Sequence, residues 1–463
     1  MIALKLAIRW AQASAINTRS GLAIRWQSFS SASVTPTFAA PPKRTNSHGL
    51  PANHAPGRTA RVFDAIGALP APRWIGEGRC VGLSLLSGEN RMRSSVLIVG
   101  GGLAGLAAAR LLDRARIGFQ LLEARDRLGG RILSVNATDG PSADGFDLGP
   151  SWFWPAAQPE LAELVAELGI PIFPQASDGD IVFQRTAHEA PRRYPGMRQE
   201  PPSMRIVGGT GTLIAALASS LPQSCIHLNT RVTQVVLAGS EVELCFARGD
   251  GRTQTLRASH VILALPPRLL EATIAFTPAL GMRTVQRWRN TPTWMAPHAK
   301  VFALYERPFW REAGLSGAAQ SMVSPLVEIH DATTASGTPA LFGFVGVSAE
   351  QRKAAGRDKI IAASVRQLAA LFGPEAARPA ATLFKDWAAD PLTATAADLI
   401  ASGHPAPDLR PWIDGEWRNH ILLAGSETST SEPGYLAGAV EAAHRAAGEL
   451  IGHLNETRAS MAT

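Results

Sequence analysis

Cysteine is scarce. The 463 residues hold three, Cys80, Cys225 and Cys245. This odd, scattered set fits a reducing compartment better than a disulfide framework, and it offers no CxxC or Cys/His metal spacing. Each reads as a small buried apolar residue. Long apolar runs are missing too. The most apolar stretch, Val96 to Ala109, covers 14 residues and includes four glycines. A spanning helix needs about 20 apolar residues, so no transmembrane segment is expected. Acidic residues are absent ahead of Asp64, whereas Lys5, Arg9, Arg19, Arg25, Lys43, Arg44, Arg58 and Arg61 are present. Residues 1–95 carry 12 Lys and Arg against 3 Asp and Glu, and the remainder 33 against 35. The net charge of +7 therefore belongs to the leader and not to the body, and a nucleic-acid partner is not expected. Residues 1–91 admit three readings: an organelle transit peptide, a disordered basic arm, or residues ahead of a true start at Met92. The last is preferred, since Met92 stands just before the first strand. It implies a cytoplasmic protein. A genuine transit peptide would imply a mitochondrial or other organellar one.

What is present begins at Ser94. Ser94 to Val99 is a short apolar, β-branched run and reads as a buried parallel strand. Gly100-Gly101-Gly102-Leu103-Ala104-Gly105 follows, a GxGxxG pattern. Leu106 to Asp113 then reads as a helix, and Gly118 to Leu122 as the next strand, ending on Glu123. Gly100 permits the tight turn, Gly102 lets backbone approach a pyrophosphate, and Gly105 lets helix and strand pack closely. The helix N-terminus offers free N–H groups to phosphates, and Leu103 and Ala104 of the glycine loop belong to the same candidate cofactor site. Glu123 can accept bonds from ribose hydroxyls and disfavours a 2′-phosphate, which argues against NADP. A lone GxGxxG is a weak signal. Strand, glycines, helix, strand and terminal acid in register are a strong one.

Beyond Glu123 the chain reads Ala124-Arg125-Asp126-Arg127-Leu128-Gly129-Gly130-Arg131. Here it resembles the flavin-containing amine oxidase family, the monoamine and polyamine oxidases. The resemblance continues in order through six motifs. Asp147-Leu148-Gly149-Pro150-Ser151-Trp152 is similar to the family's loop beside the flavin ring. Gly208-Gly209 resembles the turn that opens a helix behind the cofactor. Val232 falls on the adenine-contacting strand. Val261 to Pro267 and Ala424-Gly425-Ser426-Glu427 resemble the remaining cofactor segments, with Gly434-Tyr435 after them. The resemblance implies FAD as cofactor. Gly129 and Gly130 would admit close backbone approach, Arg131 would meet the diphosphate, and Glu427 would bond toward the ribityl phosphate.

The implied fold is α/β, a Rossmann-like FAD-binding domain with an inserted α+β substrate domain. The cofactor domain is expected at 92–150, 205–270 and 415–455, and the substrate domain at 151–204 and 271–414. Thr230 to Leu265 reads as a strand meander, with turns at Ala238-Gly239-Ser240 and Gly249-Asp250-Gly251. Pro159 to Leu168 reads as an amphipathic helix closed by Gly169.

The implied activity is oxidation of a C–N bond by hydride transfer to flavin N5, with O2 reoxidation giving H2O2. Lys300 stands in an apolar run, which suggests burial and a lowered pKa. It matches the family's lysine near N5. Trp387 matches the tryptophan that packs on the flavin, and Tyr435 one of two rings flanking the substrate amine. The segment after Trp387 holds neither cysteine nor tyrosine. Covalent attachment of FAD is therefore not expected, and the second ring is missing there. No arginine follows Gly149-Pro150, which favours an amine over an amino acid. Partners expected are an amine and oxygen, and a homodimer is compatible. Two rivals stay open: an FAD-dependent desaturase or protoporphyrinogen-oxidase-like enzyme, and a non-catalytic flavin-bound scaffold.

Overall fold

The computed structural model describes residues 95–136, 145–249, 251–400 and 403–462. The leader, Met92, Ser94 and Asp250 lie outside the described residues.

Five short strands form an all-parallel sheet in the order Ile421–Leu423, His260–Leu263, Val96–Val99, Phe119–Leu122 and Ile226–His227. Val96 pairs with both His260 and Phe119. The central strands are apolar throughout because both faces are covered. Val96 and Ile98 face the helices Leu103–Arg114 and Leu436–Ala462. Leu97 and Val99 face a second sheet. The expected first helix is longer than its sequence suggests, beginning at Leu103 directly after the glycine turn.

That second sheet is the meander. Thr253–Ala258, Glu241–Arg248 and Thr230–Ala238 run antiparallel, and Gly239 takes a positive φ of 69° in the first turn. Ala275–Thr277 joins it in parallel beside Gln234 to Val236. The meander sheet thus extends past residue 270, where sequence reading placed the end of the cofactor domain. Hydrogen bonding to an existing sheet edge gives residues 275–277 a partner that no local pattern announces.

A seven-stranded sheet follows the order Ala381–Asp386, Ala299–Leu304, Ala340–Val345, Leu326–Asp331, Leu315–Ser321, Asp180–Gln184 and Arg192–Tyr194. Side chains alternate across it. Ala299, Val301 and Ala303 pack toward helix Arg357–Phe372. Phe302 and Leu304 pack the other way, against Phe146 and Leu148. Lys300 belongs to this second face. Helix Pro159–Glu167 ends beside Gly169 at φ 64°, as expected. Among the described residues, no helix is long and apolar enough to cross a membrane.

Candidate active site

The glycine loop comes first. Gly100 has φ 108°, a conformation that side chains disfavour. A Cβ on Gly105 would run into the Gly100 carbonyl, so only glycine lets this helix close on its strand. Gly102 differs. Its φ of −77° and ψ of −176° suit any residue, and the nearest atom a Cβ would meet is Gly129 O at 3.9 Å. The backbone there borders open space. Helix geometry leaves the N–H groups of Leu103, Ala104 and Gly105 without an intrahelical acceptor. Gly129 N donates to Gly101 O at 2.8 Å, and Gly130 has φ 58°, so the second glycine pair lies against the first.

Glu123 is 3% exposed and accepts from Gly101 N at 2.7 Å and Arg125 N at 2.8 Å. A carboxylate has about four acceptor positions, so ribose hydroxyls can still be received. A cleft beside it is lined by Val99, Ala124, Arg125, Val232, Leu265 and Leu392. Val232 sits at a bulge in its strand. A Cβ on Gly425 would meet the Leu265 carbonyl, which brings the C-terminal motif up to the glycine loop's sheet. These features fit a dinucleotide: a carboxylate for ribose, an open cradle, and unpaired helix N–H groups.

Arg131 and Glu427, both assigned to the cofactor from sequence, pair with each other. Arg131 Nη1 donates to Glu427 Oε1 at 2.6 Å and to Trp294 O at 3.2 Å. Its Nη2 donates to Glu427 Oε2 at 3.1 Å and Ser426 Oγ at 3.0 Å. The fork expected to meet a diphosphate is closed on a carboxylate that is fully buried. A phosphate there would have to share one of these donors.

The second part of the site is built around Lys300. It is 4% exposed. Its Nζ donates to Asp147 O at 3.1 Å, Gly149 O at 2.6 Å and Ser151 Oγ at 3.0 Å. Gly149-Pro150-Ser151 is thus the loop that meets this lysine. The Nζ also lies 4.6 Å from the Phe342 ring and 5.2 Å from Phe344. Burial lowers its pKa to about 7. Arg205 adds to the lowering, while Asp147 and Glu328 oppose it. Asp147 is itself pushed up by burial. Its Oδ1 accepts from Ser134 Oγ and from Thr210 N and Oγ1, which fixes the loop. Trp387, 5% exposed, donates from Nε1 to Leu148 O at 2.9 Å and so joins the same loop.

Tyr435 stands just before helix Leu436–Ala462, apart from Lys300 in these contacts. Its ring lies 4.7 Å from His404, tilted by 35°, and His404 lies 4.3 Å from Trp294. A ring partner is therefore present, supplied by a segment farther along than the one after Trp387. At this spacing the two rings contact each other and leave no slot between them.

Sequence reading also missed Glu328 and His330. Lys300 stands opposite Phe344, and Phe344 opposite Glu328. His330 stands opposite Phe342 and stacks on it at 5.4 Å, with Trp152 4.8 Å away. Glu328 and His330 pair at 2.7 Å. Their i, i+2 spacing was the available signal for one shared face. The strand order that brings that face to Lys300 was not.

A parallel-sheet dinucleotide fold with an open glycine cradle, set beside a buried lysine on an aromatic sheet face, defines a flavin-dependent oxidoreductase. Comparison narrows this. The model of the flavin containing amine oxidoreductase family matches residues 181–451, and an NAD(P)-binding Rossmann-like domain matches 98–168. The chain belongs to the flavin containing amine oxidoreductase family, and it is an FAD-dependent amine oxidase. A flavin-containing monoamine oxidase of Mycobacterium tuberculosis is 27% identical over 77% of this chain and 96% of its own. Putrescine oxidase of Kocuria rosea is 25% identical over 58% and 78%. The structure of cyclohexylamine oxidase from Brevibacterium oxydans shares the fold, with a TM-score of 0.65 and 22% identity over 78% of this chain and all of that one.

Proposed function

We propose that this oxidase acts on an aliphatic amine carrying a second cationic group, such as an alkyl diamine, with Lys300 as its central site residue. The observation that carries the reading is the sheet face holding Lys300, Phe344 and Glu328 in one row. Two strand spacings separate Lys300 from Glu328, about 10 Å. Aromatic rings lie between them, and although burial pushes the Glu328 carboxyl up, its bond to His330 leaves it below the usual carboxylate range. An anionic end and an apolar middle suit a short diamine, and the putrescine oxidase relative is in keeping with that class.

FAD, when bound, would supply the two-electron acceptor for oxidation of the carbon bearing the amine, with oxygen as the final acceptor and H2O2 as its product. The chain's residues do the rest. Gly100, Gly102, Leu103, Ala104 and Gly105 cradle the diphosphate. Glu123, Ala124, Arg125 and Val232 hold the adenosine end. Gly130, Arg131, Gly425 and Glu427 border the middle. Gly149, Pro150, Ser151 and Trp387 border the reacting end. Phe302, Phe342, Phe344 and Trp152 exclude water, and Lys300 Nζ holds or releases a proton. Tyr435, whose ring packs on His404 apart from Lys300, is given no part in holding the amine. The cofactor portion then comprises 92–150, 205–270 extended to 277, and 415–455, with the substrate portion between. The scarcity of cysteine supports cytoplasmic residence.

Glu328→Gln should raise KM for a diamine by roughly 10- to 100-fold and leave that for a matched monoamine within about threefold. Equal change for both would remove Glu328 from recognition. The flavin should be held without a covalent bond, since residues 388–400 contain no cysteine. Acid precipitation should leave it in the supernatant. Flavin carried down with the protein would contradict this.

A further inference from the structure

Residues 387–399 run from the Lys300 loop to the adenosine cleft. Trp387 is fastened at one end by its bond to Leu148 O. At the other end Asp398, fully buried, pairs with Arg268 Nη1 at 2.5 Å and accepts from Thr293 N and Thr395 N. The middle is tied to the nucleotide segment through one side chain. Arg125 Nη2 donates to Asp390 Oδ1 at 3.0 Å and to Thr393 Oγ1 at 2.9 Å. Asp390 is also held by Lys385 Nζ at 3.1 Å and by Leu392 N at 3.0 Å. Leu392, between the two tied residues, lines the same cleft as Glu123 and Val232. Arg125 belongs to the three-residue stretch that also carries Glu123, and its backbone N–H donates to that carboxylate.

We propose that Asp390 and Thr393 are cofactor-retaining residues, which clasp Arg125 and hold Leu392 across the adenosine end of the dinucleotide cleft. The proposal rests on the FAD reading and assigns these residues a distinct task. A chain without a covalent flavin link keeps its cofactor only as long as every closing contact holds. This clasp is formed between residues 265 and 268 positions apart. It is a charge-assisted contact that is only partly exposed, with Arg125 and Asp390 side chains each 12% exposed. Such a contact is stronger than a surface pair. The adenosine end cannot leave past Leu392 while Arg125 is held.

The experiment measures flavin release from the full chain loaded with FAD, followed as the rise in flavin fluorescence on dilution. Wild type is compared with Asp390→Asn, Asp390→Glu and Thr393→Val. Asp390→Asn should release flavin about ten-fold faster, and Thr393→Val a few-fold faster. Asp390→Glu should release more slowly than Asp390→Asn, because the charge survives. The absorption spectrum of the bound flavin should stay at its wild-type value, and Thr393→Val, which removes one hydroxyl contact and no charge, should leave the thermal melting of the flavin-free chain within a few degrees of wild type. Release from both neutral variants at the wild-type rate would overturn the clasp. A wild-type chain that takes up no flavin would instead overturn the FAD reading on which the clasp depends.

Discussion

Lys300→Met should slow reoxidation of the reduced flavin by oxygen about 100-fold, and should change flavin affinity by less than about threefold. The asymmetry follows from position. Nζ contacts the Asp147 and Gly149 carbonyls and Ser151 Oγ, on the reacting side of the fold, and touches nothing in the glycine cradle. Methionine keeps the length and removes the proton and the charge. A second consequence separates chemistry from packing. Burial depresses the Lys300 pKa to about 7. The group is therefore an ammonium below that pH and a free amine above it, so it loses its proton as pH rises through neutrality. The oxygen reaction of the wild type should show an inflection between about pH 6 and 8. The variant should show none there. Stopped-flow mixing of reduced protein with oxygen reads both effects, and an oxygen rate equal to wild type would remove Lys300 from the mechanism.

Gly102→Val should lower flavin binding more than about ten-fold in a chain that still folds. Most glycine substitutions in such a loop cannot tell cofactor loss from misfolding. Gly105→Val is of that kind, since its Cβ meets the Gly100 carbonyl. Gly102 escapes the difficulty. Its backbone angles suit valine, and outside its chain neighbours the nearest atom to the new Cβ is Gly129 O at 3.9 Å. The folded chain loses only about 1 kcal/mol from a poorer helix N-cap. A diphosphate lying against the helix N-terminus would meet the valine side chain directly. Flavin content should fall more than about ten-fold while circular dichroism and melting stay near wild type. Wild-type flavin content in the variant would place the diphosphate elsewhere.

The cofactor half was legible because its signals are local. A strand, three glycines, a helix, a second strand and a terminal acid occupy the 30 consecutive positions from Ser94 to Glu123, and each has a steric or electrostatic reason to be there. The burial of Lys300 was legible for the opposite reason, as a cation set in an apolar run. What could not be read was pairing at a distance. Arg131 and Glu427 were each assigned to the cofactor, yet they lie 296 positions apart and bind one another. Glu328 and His330 show only an i, i+2 pattern, and the sheet order that carries them to the Lys300 face is a tertiary property. Tyr435 packs on His404, a residue from beyond the segment after Trp387, which no local pattern announces, and the two rings touch without forming a cage. Residues 275–277 joined the meander through an open sheet edge, which no turn or periodicity foretells.

Anaerobic titration of the flavin-loaded chain with matched monoamines and diamines tests the central claim, that bound FAD oxidises an amine at the Lys300 face. The account predicts bleaching of the oxidised flavin band by the diamines at the lowest concentrations, recovery of the band on admitting oxygen, and stoichiometric H2O2. An intact flavin band that no amine bleaches would contradict it.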